Sequence, residues 1–177
     1  MGKITVADRV LPRQLLSVHN TLVDVPGNKL IHLQFRRFSS CPICNLHIHT
    51  FVDRHLELIE DGITEIVVFH SSPEETLKHA DGIPFALIAD PNKHLYREFG
   101  IEFSLLSILN PKSWWSGIKG LARFPGIPHE KGQSHLGLPA DFLIAPNGEV
   151  LDCYYGKHAD DHWSVDQVLQ KGRQFAR

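Results

Sequence analysis

Apolar residues recur along this chain with two different periods, and the changes of period mark out its elements. In residues 30–35 (LIHLQF), Ile31, Leu33 and Phe35 alternate with His32 and Gln34, which predicts a central strand burying one face. The β-branched run at 64–69 (TEIVVF) predicts a buried parallel strand, and 85–89 a further short one. Between the first two the period becomes helical. At about 100° per residue, Ile48, Phe51, Val52, His55, Leu56 and Ile59 share one broad stripe with Cys44, so a long helix should follow residue 41.

Punctuation completes the outline. Pro26, Gly27 and Asn28 close a hairpin-like entry over residues 15–25. Ser71 or Ser72 before Pro73, Glu74 and Glu75 is a helix-start signature, and a second short helix is expected at 93–99. Asn147 and Gly148 turn a hairpin between strands at 141–144 and 149–155, and a last helix runs from 163 to about 175. The alternation β, α, β, α, β, α favours right-handed crossovers and a mainly parallel sheet covered on both faces. Residues 102–137, punctuated by Pro111, Gly117, Gly120 and Pro125, break the rhythm as a long excursion. Trp114 and Trp115 are expected to dock on the body or on another subunit.

Composition narrows the class without naming a function. With 177 residues, 42% of them hydrophobic, the chain is expected to form one domain, 1–177, carrying the excursion as an insertion. A net charge of −2 leaves no basic footprint for nucleic acid or an anionic membrane. No apolar run approaches a signal core or a bilayer span, so a cytoplasmic location is expected. In a reducing compartment, three cysteines argue for redox or metal use of the close pair rather than for a disulfide-stapled scaffold.

That pair, Cys41 and Cys44 in C-P-I-C, stands between a strand and a helix. The first peptide NH groups of a helix lack intrahelical partners and carry the positive end of its dipole, so a thiolate there is stabilised. Proline fits the first turn, where its missing NH costs nothing. Periodicity turns Cys44 inward and leaves Cys41 as the exposed sulfur. A metal reading would recruit His47 and His49, but two residues apart on a helix they point to nearly opposite sides, so no metal is expected. Cys153 reads as a small buried hydrophobe. Arg36 and Arg37 read as a solvated strand edge, and His32, His55, His70 and His162 as structural groups, with His70 at a strand end near the pair.

The order of elements, the C-P-I-C motif after a strand, PFALIADPNKHLYREFGI, and LPADFLIAPNGEV together resemble the thioredoxin superfamily. More narrowly, they are similar to the peroxiredoxin-like branch of the alkyl hydroperoxide reductase and thiol-specific antioxidant (AhpC/TSA) family. The resemblance implies an α/β, thioredoxin-like fold: a central mixed sheet flanked by helices, with the insertion preceding a hairpin introduced by a cis-proline. It places Pro139 at that cis-proline and gives the Leu138 backbone to substrate. The peroxiredoxin pattern P-x-x-x-T-x-x-C is incomplete. With Cys44 as the peroxidatic cysteine, Cys41 stands where threonine belongs and Arg37 where proline belongs; with Cys41 in that role, Phe38 replaces the threonine.

The expectation is therefore a thiol-dependent oxidoreductase using Cys41 and Cys44, with Leu138 and Pro139 against a small peroxide or disulfide substrate. In the thioredoxin-like assignment Cys41 attacks and Cys44 resolves; in the peroxiredoxin register the roles swap. An external thiol donor restores the dithiol, no organic cofactor or metal is needed, and a homodimer is a candidate assembly. The alternative is a non-catalytic binding module of the same fold, using the excursion as its interface.

Overall fold

The computed structural model describes residues 2–101 and 138–175, so the expectations for the 102–137 excursion, Trp114 and Trp115 included, lie outside the described residues. The chain opens with a small antiparallel hairpin, β1 (Arg13–Leu16) and β2 (Leu22–Val25). It then enters the main sheet through β3 (Leu30–Phe35), followed by helices α1 (Pro42–Asp53) and α2 (His55–Glu60). Strand β4 (Ile63–Phe69), helix α3 (Pro73–Lys78), strand β5 (Ala86–Ala89) and helix α4 (His94–Glu98) come next. Beyond the excursion, β6 (Ala140–Ile144) and β7 (Val150–Tyr155) form the second hairpin, and α5 (Val165–Phe175) closes the chain.

The five-stranded sheet has the order β5-β4-β3-β6-β7, with β3 central. β4 runs parallel to both β3 and β5, whereas β6 is antiparallel to both β3 and β7. The sheet is thus mixed, as the fold expectation requires. Ser72 caps α3 by accepting from the Glu75 NH at 3.2 Å, with proline in the first turn. Among the described residues no helix is long and apolar enough to cross a membrane.

Each face of the sheet carries its own core. One packs Leu33, Phe35, Ile66, Val68 and Phe142 against Tyr96 and Phe99 around α4. The other packs Val67, Phe69 and Leu143 against Ile48 and Phe51 of α1 and Val168 and Leu169 of α5, and it also holds Cys41 and Cys44. Because both faces are covered, the polar stripe of β3 is buried too, which corrects the one-face reading: His32 and Gln34 are fully inside.

The expected long helix is two helices. At Arg54 the backbone leaves helical geometry (φ −118°, ψ 21°), so the stripe is re-aimed. In an unbroken helix Ile59 would fall within about 20° of Ile48. Instead Leu58 is buried, while Leu56 is 74% and Ile59 45% exposed.

Candidate active site

Strand β3 delivers the chain to the site at the top of the sheet. The turn after it is closed by the Cys41 NH donating to the Phe38 carbonyl (3.0 Å) and the Ser39 NH donating to Ser71 Oγ (3.0 Å). Asn45 ties the helix to this turn, its amide donating to the carbonyls of Ser39 (2.6 Å) and Cys41 (3.0 Å). Cys41 is thereby the N-cap of α1, extended at φ −69° and ψ 117°, and Pro42 starts the helix. Cys44 follows in the first turn, where the helix dipole favours an anion.

Both cysteines are free thiols and both are buried, Cys41 at 1% and Cys44 at 3% exposure. The exposed Cys41 expected from periodicity is therefore corrected. The turn that makes it the N-cap also folds it under Arg37 and Phe38. The Arg37 guanidinium donates to Cys41 Sγ at 3.1 Å and lies 5.7 Å from the Phe38 ring centroid. Arg36 and Arg37 are buried as well, not a solvated edge.

These neighbours divide the sulfurs. A hydrogen bond from Cys41 lowers the Cys44 thiol to about 5, against the resistance of burial, with the Arg37 cation, the Arg37 peptide NH and the Arg36 cation adding to the effect. Burial pushes Cys41 well above the ordinary value, as do its hydrogen bond to Cys44 and the charge there. These surroundings favour the proton on Cys41 and the negative charge on Cys44.

Beneath the sulfurs lies a buried polar network set by strand register. Glu65 pairs with His32 across β3 and β4, and Asp141 pairs with Gln34 across β3 and β6. His32 Nδ1 is 2.9 Å from both Glu65 oxygens, and its Nε2 is 3.2 Å from Asp141 Oδ1. Gln34 donates to Glu65 (2.6 Å), and the Arg36 guanidinium donates to Gln34 Oε1 (2.8 Å) and Asp141 Oδ1 (2.5 Å). Burial alone would lower His32, but the Glu65 carboxylate, then Asp141, raise it to about 9. Burial would raise Asp141, but Arg36 and His32 hold it well below the usual carboxylate range.

Two linked titrations give a testable stability profile. Cys44, lowered from 9 to about 5, adds stability as pH climbs between those values, because the unfolded chain retains the proton that the folded chain has lost. His32, raised from 6.5 to about 9, acts oppositely: its contribution is complete below 6.5 and is lost as pH rises toward 9. Urea denaturation of the reduced protein should show stability rising from about pH 5 to 6.5 and then changing little up to about 9. In Cys44→Ser the upper plateau should become a decline. A plateau that survives this substitution would contradict the assignment.

Cys153 lies on β7 and packs with the opposite core, its Sγ 3.7 Å from the Ile4 carbonyl, so it cannot resolve a sulfur on the cysteine face. His70 does lie beside the site: its NH donates to the Arg37 carbonyl at 3.1 Å, and its ring is 6.3 Å from that of Phe38. His47 is buried against Arg36 Nη2 at 2.9 Å, and among the described residues no group of three or more His, Cys, Asp or Glu is arranged to hold a metal.

Leu138 and Pro139 lead into β6 and line a pocket of about 310 Å³ with Lys3, Tyr155 and Lys157. The Leu138–Pro139 bond is not cis; the cis bond among the described residues is Val25–Pro26, so the cis-proline expectation is corrected. The Pro139 carbonyl accepts the Gly156 NH at 2.9 Å. A Cβ on Gly156 would stand 2.7 Å from the Pro139 ring and 2.2 Å from the Asp161 carbonyl, which is why glycine occupies this position. The Pro139 carbonyl is thus satisfied within its own hairpin.

A family model described as AhpC/TSA antioxidant enzyme matches residues 48–158. The chain belongs to the AhpC/TSA antioxidant enzyme family. It is accordingly an enzyme of the thiol-dependent peroxidase and oxidoreductase class, which sets aside the non-catalytic module. The segment matched to the AhpC/TSA family begins just past Cys44, so the cysteine pair rests on its own geometry. A curated relative, Peroxiredoxin-like 2C of Takifugu rubripes, is 25% identical, the alignment covering 76% of this chain and 75% of that protein. Peroxidoxin BcpB from Mycobacterium tuberculosis superposes with a TM-score of 0.71 at 16% identity, over 97% of this chain and 98% of that one. Xanthomonas campestris peroxiredoxin Q gives 0.68 at 20% identity, over 98% and 99%. These likenesses establish the thioredoxin-like peroxiredoxin fold.

Proposed function

We propose that this AhpC/TSA protein reduces small peroxides with Cys44 as the attacking thiolate and Cys41 as the resolving thiol. The observation that carries the reading is the placement of Cys44 in the first turn of α1, lowered to about 5 by the Cys41 hydrogen bond and by Arg37. Thiolate, not thiol, is the nucleophile. Deep burial of both sulfurs favours a small peroxide over a protein disulfide, which needs a sulfur it can reach.

The Cys44 thiolate attacks the terminal peroxide oxygen; the O–O bond breaks, Cys44 becomes a sulfenic acid, and the departing alkoxide or hydroxide takes a proton from solvent. Cys41 then attacks the Cys44 sulfur, its thiol proton leaves with the sulfenic oxygen as water, and a Cys41–Cys44 disulfide forms. An external dithiol supplies two electrons and two protons and leaves as its own disulfide. We assign Leu138 and Pro139 to the substrate's approach; the support is that the next residue, Ala140, pairs with Phe35 at the end of β3 and accepts from Arg36, although the pocket they line contains neither cysteine. We read the chain as one domain, with 102–137 as an insertion, working in the reducing cytoplasm where such a donor is available.

The test is the pH dependence of the peroxide reaction of reduced protein, followed by stopped flow. A rate constant that holds nearly constant from pH 8 down to about 6 and is halved near 5 supports the reading, because the thiolate persists over that span. A rate that climbs through pH 8 to 9, as an ordinary thiol requires, would refute it.

A further inference from the structure

The residue that binds this site to its scaffold is Arg36, which the chemistry above uses only as a distant charge. Its guanidinium is buried and has partners on three elements. Nη1 donates to the carbonyls of Phe35 on β3 (3.0 Å) and Ala140 on β6 (3.3 Å). Nη2 meets Gln34 Oε1, His47 Nε2 of α1 and Asp141 Oδ1 of β6. Asp141 is held in turn by His32 Nε2 at 3.2 Å and by the Trp163 NH, which donates to its Oδ2 at 3.2 Å.

The Arg36 backbone is equally constrained. Its NH donates to the Val68 carbonyl at 2.9 Å, and its own carbonyl accepts from the Tyr96 hydroxyl. The next residue is Arg37, whose peptide NH meets Cys44 and whose guanidinium meets Cys41. A residue fixed at both main chain and side chain therefore immediately precedes the one that touches both sulfurs.

We propose that Arg36, clamped by Asp141, is a positioning residue of the redox centre: its buried guanidinium and pinned backbone hold Arg37 against both sulfurs. This rests on the reading of Cys44 as the thiolate. The charges on this face balance in kind, with the Glu65 and Asp141 carboxylates and the Cys44 thiolate against the His32, Arg36 and Arg37 cations. Removing one cation leaves an uncompensated anion in a low-dielectric interior, and the groups that can take up the compensating proton are the Cys44 thiolate and His47, which lies 2.9 Å from Arg36 Nη2 and is held well below its ordinary value by burial, His162 and then Arg36; the Cys44 midpoint is read directly for that reason. A purely structural Arg36–Asp141 pair would affect folding and leave the thiolate untouched.

The experiment measures alkylation of Cys44 by iodoacetamide against pH, with the modified cysteine located by mass spectrometry, in reduced wild type, Arg36→Gln and Arg36→Lys. Arg36→Gln is expected to raise the Cys44 midpoint by about one unit or more, cutting its alkylation at pH 5 several-fold while leaving it unchanged at pH 9. Arg36→Lys, which keeps the charge, should restore most of the shift. Equal midpoints in wild type and Arg36→Gln would overturn the role of Arg36. A wild-type midpoint near that of a free thiol would overturn the thiolate reading beneath it, so the two failures are told apart. If Arg36→Gln does not fold, nuclear magnetic resonance of wild type decides: the Arg36 guanidinium signals should move with the Cys44 titration, and their invariance would contradict the proposal.

Discussion

Replacing Cys44 by serine is expected to abolish fast peroxide consumption, leaving the rate of a free thiol, whereas Cys41→Ser keeps the first oxidation and loses turnover. The two outcomes differ because the sulfurs hold different protonation states. In the proposed reading Cys44 is the thiolate, favoured by the Cys41 hydrogen bond and the Arg37 cation, while burial and the neighbouring charge favour the proton on Cys41. With Cys41 gone, the Cys44 sulfenic acid has no neighbour to close on and should accumulate, trapped by a dimedone-type reagent as a stable adduct. Cys153 does not rescue it, since it packs on the other side of the sheet. Stopped-flow consumption of hydrogen peroxide, with adduct mass, reads both variants. Fast reaction in Cys44→Ser with none in Cys41→Ser would reverse the assignment.

Arg37→Met is the second large effect. It removes the cation 3.1 Å from Cys41 Sγ that also lowers Cys44, and with it the positive charge beside the sulfur from which, in the proposed reaction, the departing oxygen anion separates. Loss of one preorganised donor at a developing anion costs about a hundredfold or more in rate, and loss of a nearby opposite charge moves a pKa by about one to three units. We therefore expect about a hundredfold slower peroxide reaction at neutral pH, a higher Cys44 midpoint and a folded protein. Arg37→Lys should recover part of the loss, because a compact ammonium keeps the charge without the planar fork. A wild-type rate in Arg37→Met would remove Arg37 from the mechanism.

The strands, the two hairpins and the cysteine-bearing helix mouth are legible in the sequence because they depend on local signals. Alternation marks β3, a β-branched run β4, Ser72 with Pro73 the start of α3, and Asn147–Gly148 the last hairpin. What escapes is long-range. The break at Arg54 carries no glycine or proline, so periodicity runs on through it and places Leu56 and Ile59 inside.

The polar site is hidden for a related reason. Two arginines after a strand ordinarily face water, and only the central position of β3, covered on both faces, turns Arg36 and Arg37 inward. Asp141 looks like the polar start of a strand until register sets it beside Gln34, within reach of Arg36. The clue available in sequence is the polar alternation of His32 and Gln34 in an otherwise apolar strand, answered by Glu65 in the next one. A buried strand with polar residues at every second position must find partners for them.

The most direct test of the account is the product of a single turnover. Reduced wild type is mixed with one equivalent of hydrogen peroxide, quenched by a thiol-blocking reagent and mapped by mass spectrometry. The account requires an intramolecular disulfide joining Cys41 to Cys44, formed far faster than a free thiol reacts, with Cys153 recovered as the blocked thiol. A disulfide through Cys153, a cross-link between chains, or Cys41 and Cys44 still reduced after the peroxide is consumed would contradict it.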